Sequence, residues 1–148
     1  MRVVGGAAAW TEGLVSHLQH APYYQEQLAC TRCPLRAEAS RVVGGVGPLD
    51  ARILLVGQNP GDQEDKRGEP FIGRGGEELD AWLTRMRLAR VKLAITNCVK
   101  CHTADNRPPK NKEVIICRDQ WLGRELDALT VCEVLMPLGK PALFGVIG

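Results

Sequence analysis

The run Arg52-Ile-Leu-Leu-Val56 is short, continuous and apolar, and it stops at Gly57. A segment of that length with no polar alternation reads as a strand buried on both faces, as in a parallel sheet. Two more such runs follow: Leu93-Ala-Ile-Thr96 and Glu133-Val-Leu-Met136. Between them lie stretches with helical periodicity. One spans about residues 77–88, with Leu79, Trp82, Leu83 and Met86 on one face, and another about 113–129. Strand, helix, strand, helix, strand predicts an α/β fold: three layers, α/β/α, around a short, mostly parallel sheet. A fourth strand is expected after Gly139, but the residues from Pro141 to Gly148 suffice only for about one helical turn, so that strand is expected to be incomplete.

Residues 1–29 read as a helical N-terminal arm, with Thr11 as a cap, Leu14, Val15 and Leu18 at helical spacing, and a second short helix from Tyr23 to Ala29. Residues 30–148 form the main domain, beginning with a loop over 30–50. With 148 residues, 45% hydrophobic and 24% charged, the chain has the composition of one globular domain. No apolar run approaches the roughly 18 residues of a membrane span, which predicts a cytoplasmic protein without a membrane partner. A net charge of +2 permits an anionic partner without demanding one.

Chemistry concentrates at two strand ends, where open α/β sheets bind ligands. The first carries Gly57-Gln58-Asn59-Pro60-Gly61, then Asp62 to Asp65 and Gly68-Glu-Pro-Phe71-Ile-Gly73; the second is Thr96-Asn97. Glycines let backbone approach a ligand closely, Gln58 and Asn59 place amides at a pocket floor, and Phe71 between Pro70 and Gly73 offers a stacking face. Turn chemistry alone also accounts for Asn-Pro-Gly. Neither a G-x-G-x-x-G loop nor a Walker lysine pattern is present, which weighs against a nucleotide cofactor. Six cysteines include the pairs Cys30-x2-Cys33 and Cys98-x2-Cys101, a spacing closer to metal ligation than to a disulfide framework.

Taken in order, Cys30-Thr-Arg-Cys33-Pro-Leu, Ile53-Leu-Leu-Val-Gly-Gln-Asn-Pro-Gly61, Glu64-Asp65, Gly68-Glu-Pro-Phe-Ile-Gly73, Ile95-Thr-Asn-Cys-Val-Lys-Cys101, Asn106-Arg-Pro-Pro109, Cys117 and Pro137-Leu-Gly139 resemble the uracil-DNA glycosylase superfamily, most closely its iron–sulfur family 4. The resemblance implies that Cys30, Cys33, Cys101 and Cys117 hold a 4Fe–4S cluster, with zinc as the alternative for four thiolates. Cys98 and Cys132 fall outside that pattern and read as small core residues. It also implies that Phe71 stacks on an extruded uracil, that Asn97 reads the N3–H and O4 edge, and that the Gly57 loop holds O2. Asn59 would orient the attacking water, with Gln58 beside it. Family 4 usually carries Gly-Glu-Ala-Pro-Gly where this chain has Gln58 and Asn59. Asp65 is the nearest carboxylate, and its residue type also suits a loop cap.

The resemblance further implies uracil-containing DNA as partner, gripped by Lys100, Arg107 and Lys110 together with Lys112, Arg118, Lys66, Arg67 and Arg74. The family's His-Pro-Ser-Pro-like loop is not found before Gly148, and His102 does not replace its histidine. Two functions follow: a uracil-DNA glycosylase of base excision repair, or a catalytically inactive module of that fold acting as a DNA- or protein-binding accessory in replication or repair. In the second, a protein partner is expected at the sheet edge or the arm.

Overall fold

A computed structural model describes residues 16–148. Thr11, Leu14 and Val15, the first part of the expected arm, lie outside the described residues. In chain order the regular elements are α1 (Tyr24–Leu28), α2 (Leu35–Glu38), β1 (Ile53–Gly57), α3 (Asp62–Arg67), α4 (Arg74–Arg85), β2 (Ala94–Asn97), α5 (Asn111–Cys117), α6 (Gly123–Ala128), β3 (Val134–Pro137) and α7 (Lys140–Ile147). Single 3-10 turns precede α1, β2 and α5, and a π-helical turn over Arg118–Leu122 joins α5 to α6.

The three strands form one parallel sheet in the order β2-β1-β3. β1 lies in the middle, which is why its four residues from Leu54 to Gly57 are all buried. Its side chains alternate between two cores, as strand geometry requires. Leu54 and Val56 join Leu18, Leu35, Val114, Trp121 and Leu122 on one side. Leu55 joins Leu79, Leu83, Leu93 and Ile95 on the other. Helix α4 supplies the second core, and α5, α6 and α7 cover the first, so the α/β/α expectation holds. Among the described residues no strand pairs with the outer edge of β3, where Val134 and Leu135 are 44% and 40% exposed.

Several boundaries differ from the sequence reading. Helix α4 begins at Arg74 rather than near 77, because Gly75 and Gly76 lie inside its first turn. Leu79 and Leu83 are buried on its inner face, while Trp82 and Met86 are 54% and 46% exposed. The turn-rich stretch after β1 contains α3, closed by Gly68 in the left-handed region at φ 79°. The loop over 30–50 contains α2. The C-terminal segment forms an eight-residue helix rather than one turn, started by Pro141 in its first turn.

Residues 16–29 do not stand apart as an arm. Leu18 and Gln27 are fully buried, and Gln27 Nε2 donates to Glu125 in α6 at 3.0 Å. Among the described residues no helix is long and apolar enough to cross a membrane.

Helix α5 starts with a cap made by Glu113: the Lys110 backbone N–H donates to its carboxylate at 2.7 Å, and Arg107 grips the same carboxylate with two bonds of 3.0 and 2.8 Å. The Arg107 guanidinium, and secondarily the Lys110 N–H, hold the Glu113 carboxyl below its ordinary range against the opposing effect of burial. A carboxylate depressed in the folded state stabilises at neutral pH, and that contribution disappears as pH falls through its folded value. Glu113→Gln should therefore lower stability in urea titrations at pH 7, and the difference from the parent should shrink on acidification below the usual glutamate range.

Candidate active site and cysteine centre

A cavity of about 630 Å³ opens at the C-terminal end of the sheet, lined by Gly57, Gln58, Asn59, Phe71, Asn97 and Met136 among others. The register explains the convergence. Gly57 pairs with Asn97, so the last residues of β1 and β2 stand side by side at the rim. Gly57 is the contact point of the site. A methyl group there would overlap both Asn97 Oδ1 and the edge of the Phe71 ring, so only glycine allows the ring and the amide to face one space.

Phe71 occupies the left-handed region at φ 53°, an unfavourable conformation for a bulky residue. Its surroundings enforce it. Arg90 Nη2 donates to the carbonyls of Phe71 at 2.7 Å and Pro70 at 3.2 Å. Glu64 Oε1 accepts from the N–H groups of Ile72 at 3.0 Å and Gly73 at 2.8 Å. Gly76 packs against the Phe71 carbonyl so closely that a Cβ would overlap it. The backbone is thus clamped on three sides and the ring is directed into the cavity.

Asn59 donates through Nδ2 to Thr103 Oγ1 at 3.1 Å and to the Pro60 carbonyl at 3.2 Å. Gln58 lies against Gly139, just beyond β3. Asp65 is a loop cap: it is buried and accepts from the backbone N–H groups of Ser40 and Arg41. His102 stands outside the cavity lining, with Nδ1 at 3.0 Å from the Pro60 carbonyl and Nε2 at 3.2 Å from Asp62.

A second, apolar cavity is lined by Cys30, Cys33, Cys101 and Cys117, with Arg32, Arg36 and Trp121. Cys30 and Cys33 come from the turn between α1 and α2, Cys101 follows β2, and Cys117 ends α5. Burial, reinforced by Cys33 and Cys30, pushes the Cys101 thiol up to about 12. Burial pushes Cys117 up to about 12 as well, against the lowering effect of Lys100. Thiols held that high ionise only where bound cations compensate. Cys98 is buried elsewhere, with its Sγ at 3.1 Å from the Gln58 carbonyl, and Cys132 packs against the main core. Both fit the reading as small core residues. Among the described residues no three His, Cys, Asp or Glu side chains are grouped tightly enough to hold a single metal ion.

The family model of the uracil DNA glycosylase superfamily matches residues 45–146. The chain belongs to that superfamily. A type-4 uracil-DNA glycosylase of Thermotoga maritima is 40% identical over 114 residues, which cover 77% of this chain and 58% of the relative. One from Archaeoglobus fulgidus is 39% identical over 116 residues, covering 78% and 57%. A third, from Sulfurisphaera tokodaii, is 34% identical over 117 residues, covering 78% and 52%. The chain therefore spans little more than half the length of these relatives.

One expected DNA contact is corrected. Lys100 is only 1% exposed and its ammonium is bonded inside the core to Glu125, Thr96 and the Asn97 carbonyl, so it cannot reach a phosphate. Arg107 is half-buried and committed to Glu113 and Glu38. Lys110, Lys112, Lys66, Arg67 and Arg74 are exposed. Sequence reasoning missed Glu64 and Glu125, two buried carboxylates. The signal for Glu64 is its place eight and nine residues before the two amides that it binds, in the connection between β1 and α4.

Proposed function

We propose that this chain carries the base-recognition and hydrolytic pocket of a uracil-DNA glycosylase, which cleaves the N-glycosidic bond of deoxyuridine and leaves an abasic site. The observation that carries the reading is the meeting of Phe71 and Asn97 over Gly57, where no other residue fits. An extruded uracil stacks on Phe71. The Asn97 amide accepts from N3–H and donates to O4; cytosine presents the opposite pattern there, so an oriented amide rejects it. Backbone N–H groups of the Gly57–Asn59 loop face uracil O2, where negative charge develops as the bond breaks. Asn59, its Nδ2 committed to Thr103, uses Oδ1 to orient the attacking water.

Cys30, Cys33, Cys101 and Cys117 fit a 4Fe–4S cluster. Four sulfur ligands share one apolar cavity, and soft sulfur donors of this kind suit iron–sulfur clusters. The cluster would be structural, tying the turn before α2 to the end of β2 and to α5. The exposed Lys66, Arg67, Arg74, Lys110 and Lys112 grip phosphates while the base is extruded, a step that costs a few kcal/mol of unstacking.

The test is excision from uracil-containing single- and double-stranded oligonucleotides by iron-loaded protein. Alkali-labile cleavage at uracil supports the reading; DNA binding without cleavage supports the inactive module instead. Gly57→Ala should reduce kcat/KM by about 10²-fold or more, because a methyl displaces both recognition groups and misplacement near 1 Å has effects of that size.

A further inference from the structure

Lys100 and Glu125 form a buried ion pair, each side chain 1% exposed, at 2.6 Å. All three donors of the ammonium are used, on Glu125 Oε2, Thr96 Oγ1 and the Asn97 carbonyl. Glu125 is equally saturated. Its Oε1 accepts from Gln27 Nε2 at 3.0 Å and the Gly45 N–H at 3.1 Å, and its Oε2 from Thr96 Oγ1 at 2.9 Å as well as from Lys100. Burying such a pair gives little net stability compared with an apolar packing of the same volume, so stability alone does not account for it. What the pair does provide is a fixed geometry at one place. The Asn97 carbonyl sits where β2 ends, and Lys100 holds it from the side of the sheet opposite α4. The same lysine donates its backbone N–H to Cys117 Sγ at 3.3 Å, and its carbonyl accepts from Val43 at 2.8 Å.

We propose that Lys100 and Glu125 are positioning residues for pyrimidine recognition: they fix the Asn97 main chain, and through it the direction in which the Asn97 amide meets the base. This deepens the glycosylase reading and rests on Asn97 as the reader of the uracil edge. Lys100 also links that reader directly to a cysteine of the sulfur centre, so the two sites share one rigid joint.

The test compares the parent with Lys100→Met and with the charge-neutral double variant Lys100→Met/Glu125→Gln, which keeps a foldable core if the single variant leaves Glu125 uncompensated. Each iron-loaded protein is titrated with free uracil while the Asn97 side-chain amide is followed by ¹H–¹⁵N NMR; iron content and melting temperature are recorded alongside. The expected result is a displaced Asn97 amide resonance and uracil affinity reduced roughly tenfold or more, the scale of one lost bond to a charged group, at unchanged iron content. Unchanged Asn97 resonances and affinity with a lowered melting temperature would overturn the proposal and leave a purely structural pair. If the parent itself fails to bind uracil, the glycosylase reading falls, and the Asn97 resonances alone decide the positioning role: displacement supports it and constancy overturns it.

Discussion

Asn97→Ala should lower kcat/KM for uracil excision by about 10²–10³-fold, the range seen when one oriented hydrogen-bonding group is removed from a reacting site. The physical reason is local. Asn97 is the last residue of β2 and is nearly fully buried. Its amide lines one cavity with Phe71 and Gly57, where the proposed function places the base. Alanine removes both the acceptor for N3–H and the donor for O4, leaving two polar groups of the base unpaired in a partly dry cavity. The damage should fall on the discriminating step. Excision of uracil is expected to drop while general affinity for undamaged DNA, which the proposed function assigns to exposed lysines and arginines, is expected to stay within about twofold. Single-turnover excision and salt-dependent DNA binding, measured on the same preparation, separate the two. A variant that loses DNA affinity in parallel with excision would show that Asn97 supports the fold rather than the reading of the base.

Cys117→Ser should have the largest effect on stability. Cys117 closes α5 at the wall of the sulfur cavity and faces Cys101 and the Lys100 backbone. Three segments distant in sequence meet there, so a bound cluster would cross-link the turn before α2, the residues after β2 and the α5–α6 helical run. Metal binding of this kind counts directly as folding free energy. A loss of about 3 kcal/mol or more lowers the melting temperature by roughly 6–12 °C in a domain of this size. The variant is expected to lose iron and its visible charge-transfer absorbance together with that stability. Cys98→Ser supplies the contrast: Cys98 lies outside the sulfur cavity, so its variant should retain iron. Equal iron loss in both variants would refute the assignment of ligands.

The parts of this molecule written in local pattern were legible from residues alone. All three strands were read to within one residue of their ends, because continuous apolar runs stopped by Gly57, Asn97 and Pro137 leave few alternatives. The proximity of Gly57 and Asn97 followed from strand ends in a parallel sheet, whereas the place of Phe71 beside them came from the family resemblance. Lys100 was misread as a surface cation because lysine is almost never fully buried unless paired, and its partner Glu125 is 25 positions away. Nothing local marks that pairing. The same holds for the burial of Gln27 on Glu125, 98 positions apart, which turned an expected arm into part of the core. Helix α4 was placed three residues late because Gly75 and Gly76 are poor helix formers; Gly76 is required there by its contact with the Phe71 carbonyl, a tertiary reason. The π turn at Arg118–Leu122 leaves no mark in the periodicity of a helix that the sequence presents as continuous.

Calorimetric titration of the iron-loaded protein with free uracil, and then with cytosine, probes the pocket without requiring DNA or turnover. Measurable heat is expected for uracil, disappearing in both Phe71→Ala and Asn97→Ala, and none for cytosine under the same conditions. Equal binding of the two bases, or uracil binding indifferent to both substitutions, would rule out Phe71 and Asn97 as the readers of the base.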